Sequence, residues 1–348
     1  MGTDGEAMSM GAVISRKNFL LGAAAAAGTS VLAGRPARAA RRYEIKFGID
    51  LATDHPTTMH MRQVAVQVRK TTGGAVQIGI FPNSELGDDT HMLSDLRAGA
   101  IEMMGIGDNI LATLVPSAAI DNVGFAFKDS GTAWAALDGA VGDIVRADIA
   151  KAGLVPMHAI WDEGFRETTT STKPIVTPED LKGFKIRVPP SPISLSLFKA
   201  LGAAPETINV AELYTALQTH VVDGQENPLG NIETQKFYQV QKYCSMTNHM
   251  WVGYWMVASE SFWKRLPANY QKVVADAFAA QAPLQRTAND QLNTSLQARL
   301  AKQGLVFNTP DTAPFRAKLM QAGFYKEWQG KFGTALWAAL EKYTGTLA

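Results

Sequence analysis

Strand-like and helix-like segments alternate at the start of the folded part of this chain, and this alternation limits the fold more than any other feature. Tyr43 to Ile49 alternates apolar and polar residues as a strand does, and His60 to Thr71 has apolar residues at helical spacing. Ala75 to Phe81 then has the composition of a second strand. Because a strand, a crossover helix and a second strand are the unit of parallel sheets, the pattern predicts an α/β fold.

The length of the chain predicts two lobes. Its 348 residues exceed a typical domain of roughly 100 to 200, so two separate cores are expected. We place lobe I at residues 40–163 and about 253–292, and lobe II at 164–252 and about 293–348. The chain beyond Ser261 is predicted to be helical to its end and to brace both lobes.

The first 39 residues have the features of an export signal peptide. Arg16 and Lys17 precede an apolar, alanine-rich stretch from Phe19 to Gly34, and Ala37-Arg38-Ala39 has the small-x-small pattern of a cleavage site. This stretch is shorter than the roughly 20 residues of a membrane span, which favours export over an anchor. The order Ser-Arg-Lys-x-Phe-Leu is similar to a twin-arginine signal with lysine in the second place.

Composition and spacing argue against several classes of function. A formal net charge of +1 gives no support to nucleic-acid binding, which needs many basic contacts to phosphates. Cys244 is the one cysteine, so neither an intrachain disulfide nor a cysteine-based metal cage can form. The sequence contains no His-Glu-x-x-His, Gly-x-Ser-x-Gly or phosphate-loop motif. We therefore expect a protein that is not an enzyme and that has no cofactor and no metal site.

Arg187 is the strongest candidate for binding a ligand. It lies between Ile186 and Val188 on a predicted strand, on the face opposite to both. A guanidinium held on a strand can bind a carboxylate through two parallel hydrogen bonds, and it keeps its charge. An ordinary ion pair with a nearby Asp or Glu is the alternative, and spacing alone does not decide between them.

Ordered motifs between residues 166 and 231 carry a family resemblance. They are Arg166 with Thr169, Lys173-Pro174-Ile175, Pro178 to Arg187, Leu201-Gly202-Ala203, Glu212 to Gln218, Val222 to Pro228, and Asn231-Ile232. Together they strongly resemble the solute receptors of tripartite ATP-independent periplasmic (TRAP) transporters, of the dicarboxylate-receptor, DctP-like type. The resemblance implies a two-lobed α/β periplasmic binding protein with hinge segments and a long C-terminal bracing helix.

The same resemblance implies a ligand site. Arg187 matches the arginine that clamps the ligand carboxylate, Asn227 the asparagine that hydrogen-bonds it, and Arg166 an arginine that supports it or a second acidic group. On the first lobe only locations carry over, and caps or core packing are the alternative roles there. The candidates are Asp50, His55, Asp89, Asp108 or Asn109, Trp161, Asp162 and Tyr254.

The implied partners are a small organic acid and the small and large membrane subunits of a TRAP permease, with the receptor acting as a periplasmic monomer. Two arginines allow a C4-dicarboxylate, and the acidic first-lobe candidates with His55 suit a sugar acid. An aromatic or 2-oxo acid would be tolerated by Trp161, Trp251 and Tyr254. We favour the hydroxylated monocarboxylate. A periplasmic sensing subunit is the main functional alternative.

Overall fold

The opening strand-helix-strand unit has the predicted form. The computed structural model describes residues 42–347, so the predicted export signal lies outside the described residues. β1 (Tyr43–Gly48) and β2 (Val76–Phe81) pair in parallel, and α1 (Pro56–Thr71) connects them. Phe47 and the apolar face of α1 are buried. The α/β prediction is thereby confirmed.

A first sheet continues from this unit. Its further strands are β3 (Met103–Gly107), β4 (Leu154–Pro156), β5 (Trp161–Phe165) and β11 (Trp251–Ser259). The order is β2-β1-β3-β11-β4, and β5 also pairs with β11. β11 is antiparallel to its three neighbours, and all of its residues are buried. The apolar, aromatic composition of this returning strand follows from that burial.

A second sheet holds the remaining strands. They are β6 (Glu167–Thr170), β7 (Lys185–Val188), β8 (Ala204–Thr207), β9 (Gly224–Asn227), β10 (Tyr243–Ser245) and β12 (Val306–Asn308). Their order is β12-β10-β6-β9-β7-β8. β9 lies between β6 and β7, antiparallel to the first and parallel to the second. The residues of β9 are therefore buried on both sides, and all four are inaccessible.

Two strand predictions were wrong. Val221-Val222-Asp223 has the apolar composition that predicts a strand, but residues 221–223 form bends and Val221 is exposed. The strand is instead the polar segment Gly224–Asn227, whose lack of apolar residues predicts a loop. The predicted all-helical C-terminal part also contains β12, which pairs in parallel with β10.

Helices cover both sheets. They are α2 (Asp89–Ala98), α3 (Asp108–Leu111), α4 (Ser130–Asp138), α5 (Ala140–Lys151), α6 (Pro192–Ala200), α7 (Val210–Gln218), α8 (Leu229–Thr234), α9 (Glu260–Trp263), α10 (Ala268–Lys302), α11 (Ala313–Gln321), α12 (Phe324–Phe332) and α13 (Thr334–Thr344). The described residues also form 3-10 helices at Pro116–Asn122, Pro178–Leu181 and Phe237–Gln239. Within residues 42–347, no helix has the length and hydropathy that a membrane span requires.

The 35-residue helix α10 is the predicted long bracing helix. Along its length it packs on α1 and β5, which belong to the first sheet and its cover, and on α8 and β12, which belong to the second. α12 and α13 extend this bracing, since α12 packs on α6 and α13 packs on α4 and α5. The lobe boundaries near residues 163 and 252 stay a prediction.

Candidate functional site

Arg187 is a buried cation on β7, the strand next to the β8 edge of the second sheet. Its strand β7 pairs with β8 on one side and β9 on the other, so its backbone is fixed along both edges. The side chain is 1% exposed, and its Nε donates to the carbonyl oxygen of Ile208 at 2.8 Å. Among residues 42–347, no carboxylate forms an ion pair with it. Burial lowers the pKa of Arg187 to about 10, so the group stays charged at neutral pH.

Arg166 is a buried cation of a different kind, because the protein itself neutralises it. Its Nε and Nη2 donate to the carboxylate of Glu226, and Nη2 also donates to the Glu226 carbonyl oxygen at 2.7 Å. The same nitrogen donates to Asn227 Oδ1 at 3.0 Å. Burial alone raises the pKa of Glu226, but Arg166 and then His249 hold that pKa at about 2. The group is therefore an ion pair that orients the Asn227 amide.

The carboxyl groups of Asp50 and Asp89, from the loop after β1 and from α2, lie close enough to Arg187 for their charges to act on it. Asp50 follows β1 and accepts a 2.6 Å hydrogen bond from the Tyr254 hydroxyl of β11. Asp89 is the first residue of α2 and is 1% exposed, and neither of its oxygens has a partner among the described residues. Burial raises the pKa of Asp89 well above its usual value, Asp50 raises it further, and Arg187 opposes both. Desolvation thus favours the protonated form of Asp89.

His55 caps α1 and presents a free donor. Its Nδ1 accepts from the backbone N–H of Thr57 at 3.2 Å, so the ring proton lies on Nε2. Burial lowers the pKa of His55 to about 4, which keeps the ring neutral at pH 7. The described residues offer Nε2 no hydrogen-bond partner. A Cβ built on Gly230 would lie 3.1 Å from Nε2, so this donor lies directly against α8.

Sequence reasoning missed Glu163 and Asn231 as members of this group. Asn231 Nδ2 donates to Glu163 Oε1 at 2.6 Å, which joins α8 to β5. Burial raises the pKa of Glu163 to about 8, although Arg166 acts against this rise. A buried polar atom without a partner marks a place where a ligand atom can bind. Within residues 42–347, this part of the molecule has such atoms at His55 Nε2, Thr58 Oγ1, both Asp89 oxygens, Trp161 Nε1, Asn209 Oδ1 and Asn231 Oδ1.

The chain matches a family model over residues 47–330, which is most of its length. That model is described as "Bacterial extracellular solute-binding protein, family 7" (DctP). The chain belongs to this family.

Relatives and solved structures agree with this membership. An uncharacterized protein of Sinorhizobium fredii is 38% identical over 266 residues, which are 76% of this chain and 49% of that protein. A TRAP periplasmic solute-binding protein of Sulfurospirillum deleyianum, solved with succinate, superposes with a TM-score of 0.82 at 30% identity, covering 88% of this chain and 99% of that one. The sugar acid binding protein of Advenella mimigardefordensis, solved with galactonate, gives 0.83 at 30% identity, covering 87% and 98%.

The family-7 receptor is a solute-binding protein of the transport type and not an enzyme. This assignment agrees with the chemistry of the site, whose groups can hold an anion and polar oxygens. The part of the chain that the structure describes brings together no group of three or more His, Cys, Asp or Glu side chains that could hold a metal ion.

Asp162 and Trp161 of the receptor have different surroundings from the other candidates. Both Asp162 oxygens are engaged, Oδ1 by the indole N–H groups of Trp134 and Trp251 and Oδ2 by Asn289. Asp162 therefore ties β5 to α4, β11 and α10. Trp161 stands opposite Tyr254 in the β5–β11 register, and its ring packs on Phe278.

The polar residues Asp108 and Asn109 predict a loop after a strand, but in the structure both lie in the first turn of α3. Asp108 accepts from the backbone N–H of Asn109 and of Gly253 and from the Asn122 amide, so its role is structural. Asn109 borders the site, because a Cβ on Gly107 would lie 2.7 Å from its Oδ1 and 3.7 Å from Tyr254 Cε2.

Glu167 gives a pH-dependent prediction beside the site. It is buried, accepts from the backbone N–H of Asn248 at 2.9 Å, and its pKa is raised by burial from 4.5 to about 7. The folded protein thus holds a proton that the unfolded chain releases, and stability falls as pH rises from 4.5 to 7. Glu167→Gln has no titrating carboxyl group at this position, so it does not lose this stability as pH rises. The free energy of unfolding of Glu167→Gln minus that of the unchanged protein should be about 3 kcal/mol larger at pH 8 than at pH 4. Urea unfolding across this range measures it, and a constant difference would contradict the assignment.

Proposed function

We propose that the chain is the periplasmic receptor of a TRAP transporter, and that it binds a small organic acid through the carboxylate. The observation that carries the proposal is Arg187, a buried charged guanidinium that forms no ion pair with a carboxylate of the described residues. An isolated buried charge costs free energy unless a partner compensates it. A ligand carboxylate is a partner that matches the two-pronged guanidinium.

Asn227 and Arg166 support the same carboxylate in this proposal. Asn227 uses its oxygen on Arg166 and one amide hydrogen on Gln225, at 2.6 Å, which leaves its second amide hydrogen for the ligand. Arg166 supports the ligand carboxylate by orienting the Asn227 amide and not by its own charge, because Glu226 already neutralises that charge.

The ligand class that we propose is a hydroxylated sugar acid. The buried carboxyl groups of Asp89 and Glu163, whose pKa values are raised by burial, and the neutral His55 ring offer donors and acceptors to hydroxyl groups. The relative solved with galactonate supports this ligand class. The relative solved with succinate supports a C4-dicarboxylate as the competing ligand class.

The proposed partners in transport are the small and large membrane subunits of a permease. The receptor would reach the periplasm through its N-terminal segment of 39 residues, whose basic and apolar parts suit export. The contacts of α10 with elements of both sheets suit a receptor whose halves close over the ligand.

A thermal-shift screen tests the function directly. Sugar acids, dicarboxylates and aromatic 2-oxo acids are each added to the purified mature protein. A ligand at a hundred times its Kd should add about 2.7 kcal/mol to the free energy of unfolding, and the melting temperature should rise accordingly. If no organic acid raises the melting temperature at millimolar concentration, the receptor proposal is wrong.

A further inference from the structure

His55 supplies a hydrogen-bond donor that the fold of α1 does not use. Capping occupies Nδ1, and the proton on Nε2 has no acceptor among residues 42–347, although the side chain is wholly buried. The same atom lies against Gly230 of α8, a position where any side chain would crowd it. A buried donor that has no acceptor within the protein can bind an oxygen of a ligand.

Asn231 and Asp89 can supply acceptors for hydroxyl groups in the same cluster, because Asn231 hydrogen-bonds Glu163 and the Glu163 charge acts on Asp89. Asn231 follows Gly230 on α8, and its Oδ1 is unpartnered in the described chain because its amide nitrogen is committed to Glu163. On the first-sheet side, both oxygens of Asp89 are unpartnered and buried. A hydroxyl group donates once and accepts twice, so it can satisfy a donor and an acceptor of this kind together.

The charges of the site are uneven. Arg166 is neutralised by Glu226, so Arg187 is the one buried guanidinium of this cluster without a carboxylate partner in the described part of the chain. The groups beyond Arg187 are the carboxyl groups Asp50, Asp89 and Glu163 and the neutral His55, none of which adds positive charge. A second carboxylate on a ligand would lose its hydration there without gaining a cation.

We propose that His55, Asp89 and Asn231 form a hydroxyl-binding subsite that selects a hydroxylated monocarboxylate and rejects the matching dicarboxylate. The inference rests on the proposed function, since it assumes that Arg187 holds the first carboxylate. The first lobe and α8 then determine specificity, and Arg187 determines only that the ligand is an acid.

Matched ligand pairs test whether the site disfavours a second carboxylate on the ligand. Aldonates of four to six carbons are compared by calorimetry with the aldarates of the same configuration, which differ only in a second terminal carboxylate. We expect every aldonate that binds to do so at least about tenfold more tightly than its aldarate, because an unpaired second charge is disfavoured. An aldarate that binds as tightly as its aldonate would overturn the inference and leave the receptor function intact.

The remaining outcomes separate the two proposals. Binding of another organic acid, with no binding of aldonates or aldarates, would also overturn the subsite while supporting the receptor. Binding of no organic acid at all would overturn both.

Two variants test the residues. His55→Asn keeps an oxygen that can cap α1 but removes the Nε2 donor, and Gly230→Ala adds a methyl group 3.1 Å from that donor in a helix that tolerates alanine. Each should weaken aldonate binding by about tenfold, the effect of one lost hydrogen bond in a buried site. The melting temperature without ligand should stay near that of the unchanged protein. Unaltered aldonate affinity in both variants would refute the subsite.

Discussion

Arg187→Met is expected to lose ligand binding and, at the same time, to stabilise the ligand-free protein. Removing one partner of a buried charge pair costs about 2 to 5 kcal/mol, which corresponds to a loss of affinity between about 30-fold and a few thousand-fold. The ligand-free variant no longer buries a cation that has no ion-pair partner among residues 42–347. Apolar residues of similar volume often replace buried charges at no cost or with a gain.

Calorimetry with the acid found in the screen measures the first effect, and the melting temperature without ligand measures the second. Arg187→Lys is the matched control, because it keeps a positive charge but cannot form two parallel hydrogen bonds with a carboxylate. It should bind more weakly than the unchanged protein and more tightly than Arg187→Met. Unchanged affinity in Arg187→Met would remove Arg187 from the site, whatever happens to stability.

Local patterns predicted those parts of the fold whose signal lies within a few residues. The β1-α1-β2 unit follows from apolar spacing, and β7 follows from the alternation around Arg187. β9 could not be found in this way, because its sequence Gly-Gln-Glu-Asn is polar. Its polar side chains can be buried because they form hydrogen bonds with Thr169, on the neighbouring strand β6, and with Arg166, the residue before β6.

The candidate site, too, could be predicted only where its signal lies within a few residues. The two arginines and Asn227 are recognisable from motifs, yet the difference between a paired Arg166 and an unpaired Arg187 depends on Glu226, which is 60 residues away from Arg166. Glu163 and Asn231 meet across 68 residues, so neither carries a local signal. Asp162 is a candidate only because of its location in the first lobe. Its bonds to Trp134, Trp251 and Asn289 arise only when α4, β11 and α10 pack around β5.

Arg166→Met should have the opposite effect on stability to the change at Arg187. It leaves the Glu226 carboxylate buried without its main partner, and breaking such a pair costs about 3 to 5 kcal/mol. The loss should depend on pH. The pKa of Glu226 is about 2 in the folded protein against 4.5 ordinarily, so its stabilising contribution is present above pH 4.5 and is lost as pH falls toward 2. The difference between Arg166→Met and the unchanged protein should therefore be largest at neutral pH.

The double variant Arg166→Met/Glu226→Gln separates the ion pair from the packing of the arginine stem. Glutamine keeps the shape of Glu226 and an acceptor for His249, whose Nε2 lies 3.1 Å from a Glu226 oxygen, but it carries no charge to leave unpaired. It should recover a large share of the stability that Arg166→Met loses at pH 7, and the recovery should vanish at pH 3. The coupling energy from urea unfolding of the four proteins measures this. If Arg166→Met proves as stable as Arg187→Met, then Glu226 does not neutralise Arg166, and Arg166 joins Arg187 as a direct contact of the ligand.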